Sequence, residues 1–232
     1  MTKRALFVLI AALLAPVSLP VLTHGQDEGP SEATAPSNDV AAFDTSYWPS
    51  PSVSARLQRE FLDRVRWSAG MAARDSLAAA FAEKSPVDTW LELVAPDGLE
   101  ANNVADALTA YWVLNWVAAN GAYDTKVDNA PIRRQLRAAF GNDPNFLKLS
   151  DQQRQELAEG YILAFLVEHA ALNRAVGQRD TATLQQLAAS AVARFRQKMR
   201  VDLLSVEPGP DGFVARQTTG RPASKPAEPE AD

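Results

Sequence analysis

Residues 102–121 read NNVADALTAYWVLNWVAANG. Val104, Leu108, Tyr111, Trp112, Asn115 and Ala119 follow the i, i+3, i+4 spacing that brings side chains onto one face of an α-helix. The opposite side is scarcely more polar: Ala107, Ala110, Val113, Leu114 and Val117 leave only Asp106 and Thr109 near the start. A helix without a polar stripe is either a membrane span or the inner helix of a bundle. Asp106, Thr109 and Asn115 would be costly in hydrocarbon, so the stretch predicts a long central apolar helix surrounded by others. Asn103 is placed to cap it, Asp106 lies near the positive end of its dipole, and Gly121 supplies a left-handed stop.

Downstream, Pro131 opens a helix to Phe140 that Gly141-Asn142-Asp143-Pro144 breaks. Ser150-Asp151-Gln152-Gln153 is a capping-box pattern for the longest helix, Asp151 to about Val176. Its inner stripe runs Leu157, Tyr161, Phe165, Leu172, Val176, beside a stripe of small residues, Gly160, Ala164, Ala171 and Ala175, that admits a neighbouring helix. Glu168 interrupts that stripe. A tight connection at residues 177–180 predicts an antiparallel last helix, Thr181 to about Val201, burying Leu184, Leu187, Ala188, Ala191, Phe195 and Met199. Pro208 to Phe213 is a turn, with Phe213 docking back on the domain. From Val214 the tail, 214–232, is polar and proline-punctuated, and composition assigns it to disorder.

Upstream, Pro96-Asp97-Gly98 is a turn and Ser85-Pro86-Val87-Asp88 a helix start. Met71 to Lys84 and Ser52 to about Ala69 are two further helices separated by Gly70, with Ser50 as cap and Pro51 at the first position. Residues 26–46, rich in Pro, Ser, Thr, Ala and acids, read as a disordered linker. The whole predicts one all-α domain of about seven helices, a helical bundle over residues 47–213.

Lys3 and Arg4 precede an apolar run, Ala5 to Ala15, that Pro16 ends. About 20 apolar residues are needed to cross a bilayer comfortably, so residues 1–25 read as a signal peptide with cleavage before Gln26. Retention as an anchor is the alternative. The expected location is therefore periplasmic or secreted, with no transmembrane helix in the mature chain.

The chain holds no cysteine, which removes disulfides, thiolate metal sites and cysteine nucleophiles together. Its net charge of −5 offers no footprint for nucleic acid. The basic cluster Arg194, Arg196, Lys198, Arg200 sits at a helix end, where cations favour the dipole; the alternative is an anionic-ligand site. Of two histidines, His24 belongs to the leader, so His169 alone remains. A histidine-rich zinc site is then out of reach, and neither an H-E-x-x-H nor a nucleotide-binding glycine loop occurs. Asp124, Asp128 and Asn129 share a loop without EF-hand spacing. Nothing calls for a cofactor or metal.

What remains is carboxylate chemistry and binding. Glu168, set in YILAFLVEHAAL, is costly to bury unless paired or protonated. It either locks two helices by bonding a Trp N–H, Asn115 or an arginine, or serves as a general acid in a cleft. His169 lies about 100° round the helix from it. Asn115, beside Tyr111, Trp112 and Trp116, either fixes bundle register or anchors an apolar ligand pocket. The residues to watch are thus Asp106, Tyr111, Trp112, Asn115, Trp116 and Glu168.

Asn103-Val104-Ala105-Asp106-Ala107 with Tyr111-Trp112 and Trp116, the opening Tyr47-x-Pro49 with Val53-x-x-x-Leu57, and the ending Asp202-Leu203 with Gly212-Phe213 resemble an uncharacterised family of exported bacterial proteins, a domain of unknown function. The resemblance covers roughly residues 47–213 and implies an exported, mostly helical domain; it carries over no catalytic residue. Taken together, the sequence points to a non-enzymatic exported domain that binds an envelope protein or a small molecule. The alternative is a carboxylate-dependent cell-wall glycan hydrolase or lyase with Glu168 as acid.

Overall fold

The computed structural model describes residues 43–216. The leader 1–25, most of the linker and the last sixteen residues of the tail lie outside the described residues. Seven helices and one short hairpin follow in order: α1 Pro51–Ala69, α2 Met71–Glu83, α3 Pro86–Val94, α4 Val104–Asn120, α5 Asn129–Gly141, α6 Asp151–Gln178, α7 Thr181–Lys198, β1 Val206–Gly209 and β2 Gly212–Ala215. The fold is all-α in the sense the sequence predicts.

Helix α4 packs on α5, α6 and α7, and the α4–α6 pair is the most extensive helix contact. It differs from a long apolar rod in two ways. It spans 17 residues against 28 for α6, and it buries three polar side chains, Asp106, Thr109 and Asn115. Each is tolerated because it is bonded: Thr109 Oγ1 donates to the Ala105 carbonyl at 2.7 Å and Asn115 Nδ2 to the Tyr111 carbonyl at 2.8 Å. Asp106 accepts the Glu100 N–H at 2.9 Å and faces Arg133 and Arg137 of α5, each at 3.4 Å. The carboxylate thereby ties the first turn of α4 to α5.

Asn103 caps α4 as expected, its Oδ1 accepting the N–H groups of Ala105 and Asp106. That same oxygen accepts the Thr45 hydroxyl at 2.6 Å, Tyr47 N–H donates to the Asn102 carbonyl, and Val104 N–H to that of Thr45. The linker boundary at Ser46 therefore needs correcting. Thr45 is fully buried and Phe43 packs edge-on against Phe146, so the structured unit takes in residues whose polar composition suggested disorder. Ser50 is a second departure. Its hydroxyl meets Ser52 rather than a helix N–H, and its backbone is held instead by the buried Gln155, which accepts from Ser50 N–H and donates to the Ser50 carbonyl, both at 2.9 Å.

The C-terminal boundary moves as well. Val206 pairs with Ala215 and Gly209 with Gly212 in an antiparallel hairpin, and Arg216 N–H closes on the Ser205 carbonyl at 2.8 Å. Val214 is a strand residue, not the start of the tail. Gly212 holds φ +108°, and a Cβ there would lie 2.7 Å from Gln135 Cδ, so the turn needs glycine for both backbone and space. Gln135 of α5 in return bonds both N–H and carbonyl of Phe213.

Candidate functional site

The inner face of α4 meets α6 and α7 at an aromatic layer. Tyr111 lies 5.6 Å from the Tyr161 ring and 5.8 Å from Phe195, while Trp112 stacks on Phe213 at 5.6 Å and meets Phe195 edge-on at 5.5 Å. Trp116 lies against Phe213 at 6.2 Å and donates its indole N–H to the Val206 carbonyl at 2.9 Å. The face that read as a possible ligand pocket is therefore covered, by Phe195 from α7 and by Phe213 from the hairpin. The Trp112 indole nitrogen remains buried without a hydrogen-bond acceptor.

Within this layer sits a polar centre that joins three helices, α4, α6 and α7. Arg194 of α7 donates through a single nitrogen, Nη2, to Glu168 of α6 at 2.9 Å and to Asn115 Oδ1 of α4 at 2.6 Å. The Tyr111 hydroxyl approaches the other Glu168 oxygen at 3.5 Å, and the guanidinium sits 5.9 Å from the Tyr111 ring centroid. Both charged side chains are about nine-tenths enclosed, at 12% and 11% exposure. The pairing is not a two-pronged fork, and Arg194 Nε is buried without an acceptor. Compensation for the buried carboxylate is thus thin. Burial pushes Glu168 up to about 7, against the opposing pull of Arg194, Asn115 and Tyr111. Burial, then the Glu168 charge, also drives the Tyr111 phenol well above its ordinary value.

Of the six residues singled out from sequence, Asn115, Glu168 and Tyr111 come together here, with Trp112 and Trp116 in the adjoining layer. Asp106 lies apart, in its own clamp with α5. The sequence offers Arg194 as one of a basic cluster, a helix end or an anionic-ligand site, and that cluster does not exist as one patch: Arg194 turns inward to Glu168, whereas Arg196 pairs with Asp202 at 2.7 Å. The signal that finds Arg194 is its spacing. Leu187, Ala191, Arg194 and Lys198 step by four, three and four along the inner stripe of α7.

His169 does not join Glu168. It stacks on Phe165 with ring centres 5.2 Å apart and reaches Asn173, and burial lowers its pKa. Asp128 caps α5 through the Ala130 N–H. Among the described residues no group of three or more His, Cys, Asp or Glu side chains is arranged to hold a metal ion, and no helix is long and apolar enough to cross a membrane.

A family model described as a family of unknown function (DUF6683) matches residues 22–216. This chain belongs to that family. The match runs through all seven helices and the hairpin, ending at the residue that closes onto Ser205. No curated protein and no solved structure matches the chain.

Proposed function

We propose that this member of the family is a non-enzymatic, exported helical domain that works by binding another component of the cell envelope. The observation that carries the reading is the closure of Glu168. The carboxyl that offered the best route to acid catalysis faces Arg194, Asn115 and Tyr111 rather than a second acid, and glycan cleavage by the usual route needs two carboxyl groups flanking a reachable bond. Filling of the Trp112 and Trp116 face by Phe195 and Phe213 favours a partner at the surface over a small molecule in the core. Export rests on the leader-like residues 1–25.

A cell-wall glycan hydrolase or lyase is the second reading. It draws on the raised pKa of Glu168, near the value a general acid needs at neutral pH. Release of soluble fragments from dye-labelled peptidoglycan sacculi separates the two. The interaction reading expects no release above buffer by wild-type protein. Release that Glu168→Gln abolishes, in a variant shown by circular dichroism to be folded, would overturn it.

A further inference from the structure

Helices α1 and α6 run side by side in the same direction. Ser50 bonds Gln155 and Ser54 bonds Glu159, each pair 105 residues apart, and further along Phe61 and Val65 share a cluster with Leu163 and Val167. From Ser54 to the end of α1 is about 22 Å and from Glu159 to the end of α6 about 28 Å at 1.5 Å per residue. The α1–α2 turn and the α6–α7 turn therefore lie at one end of the molecule.

That end has an unusual surface. Trp67 is 82% exposed, Met71 52% and Val176 37%, so three of the eight large exposed hydrophobics among the described residues belong to these two turns. Arginines surround them: Arg64, Arg66, Arg174 and Arg179 are exposed, and Arg66 lies 5.4 Å from the Trp67 ring centroid. The acids nearby are Asp63, Asp75 and Asp180, of which Asp75 pairs with Arg74 and Asp180 caps α7. Local charge is thus positive on a chain whose net charge is −5. Helix α2, which follows the turn, buries no residue and has α1 as its one extensive packing partner.

Building on the reading of this chain as an envelope-interaction domain, we infer that the two turns form a docking edge for an anionic lipid surface. An exposed tryptophan prefers the headgroup level of a bilayer, where its ring is wet on one side and apolar on the other. Arginines around it are drawn to acidic headgroups, and two weak contributions, shallow apolar insertion and charge, together give reversible surface binding. The edge docks on the membrane without crossing it.

The test uses the chain from Gln26 onward, freed of its apolar leader, with and without Trp67→Phe, titrated with phosphatidylglycerol vesicles carrying brominated acyl chains. Wild-type tryptophan emission is expected to shift to the blue and to be quenched, phosphatidylcholine vesicles are expected to do neither, and Trp67→Phe is expected to lose the quenched component while Trp48→Phe keeps it. Arg66→Gln with Arg179→Gln is expected to raise the lipid needed for half-maximal change by roughly 10-fold or more. No quenching by anionic vesicles, or quenching that survives Trp67→Phe, would overturn the docking edge. A protein partner would then become the occupant to seek, and the interaction reading would still stand or fall on the sacculus assay.

Discussion

Glu168 makes the stability of this fold depend on pH with a sign that can be worked out in advance. Its ordinary value is 4.5 and burial raises it to about 7 in the folded state. Below the unfolded value both states hold the proton and the group contributes nothing to the pH dependence. Between the two values the folded state keeps a proton that the unfolded chain has lost, so stability falls as pH rises. Above the folded value both states are ionised and the full cost is present, about 3 kcal/mol at 1.36 kcal/mol per unit. The comparison that isolates it is Glu168→Gln, which keeps an acceptor for Arg194 and removes the titration. Urea unfolding of both proteins at pH 5, 6, 7 and 8 gives the stability gap at each pH. The gap should move in favour of the glutamine variant by about 2.5 kcal/mol across the series, a little less than the full cost because the pH 5 and pH 8 ends each fall just inside the transition. A gap that moves the other way would mean that the single Arg194 contact outweighs desolvation, and a flat gap that the carboxyl is hydrated; either refutes the reasoning.

Three other substitutions probe the packing. Phe195→Ala opens a void beside Tyr111 and Trp112 and should cost about 3–5 kcal/mol, read as a lower urea midpoint. Gly212→Ala forces a strained φ and a clash with Gln135; an expected loss of about 1–3 kcal/mol should come with a red shift in tryptophan emission as Phe213 leaves Trp112 and Trp116. Asp106→Ala leaves Arg133 and Arg137 facing a buried gap and removes the acceptor of the Glu100 N–H. A loss of about 3 kcal/mol or more is expected, and hydrogen exchange should rise first at the start of α4.

Much of the fold is legible in the chain because its punctuation is local. Asn103, Ser150 with Gln153, and Gly121 mark helix ends through bonds that span a few residues, and apolar spacing does the rest. The hairpin is harder to read, since its strands are four residues each, with Pro208 and Gly209 inside the first. Its order comes from distant partners: Gln135 for Phe213 and the Trp116 indole for Val206. Thr45 is invisible for the same reason, being ordered by Asn103, 58 residues away. At the candidate site, Glu168 and Asn115 stand out as polar residues on apolar faces. Arg194 does not, because three neighbouring cations make a helix-end explanation sufficient until the inward spacing of α7 is considered.

Glu168 and Arg194 act as one structural link between α6 and α7. A double-mutant cycle at pH 8, Glu168→Leu and Arg194→Leu singly and together, measures it most directly by urea unfolding. Each single change should cost about 3–5 kcal/mol by stranding its partner, and the double variant should recover at least about 2 kcal/mol of the summed loss. Additive losses would show that the two charges do not depend on each other, and would return Glu168 to the list of groups free to do chemistry.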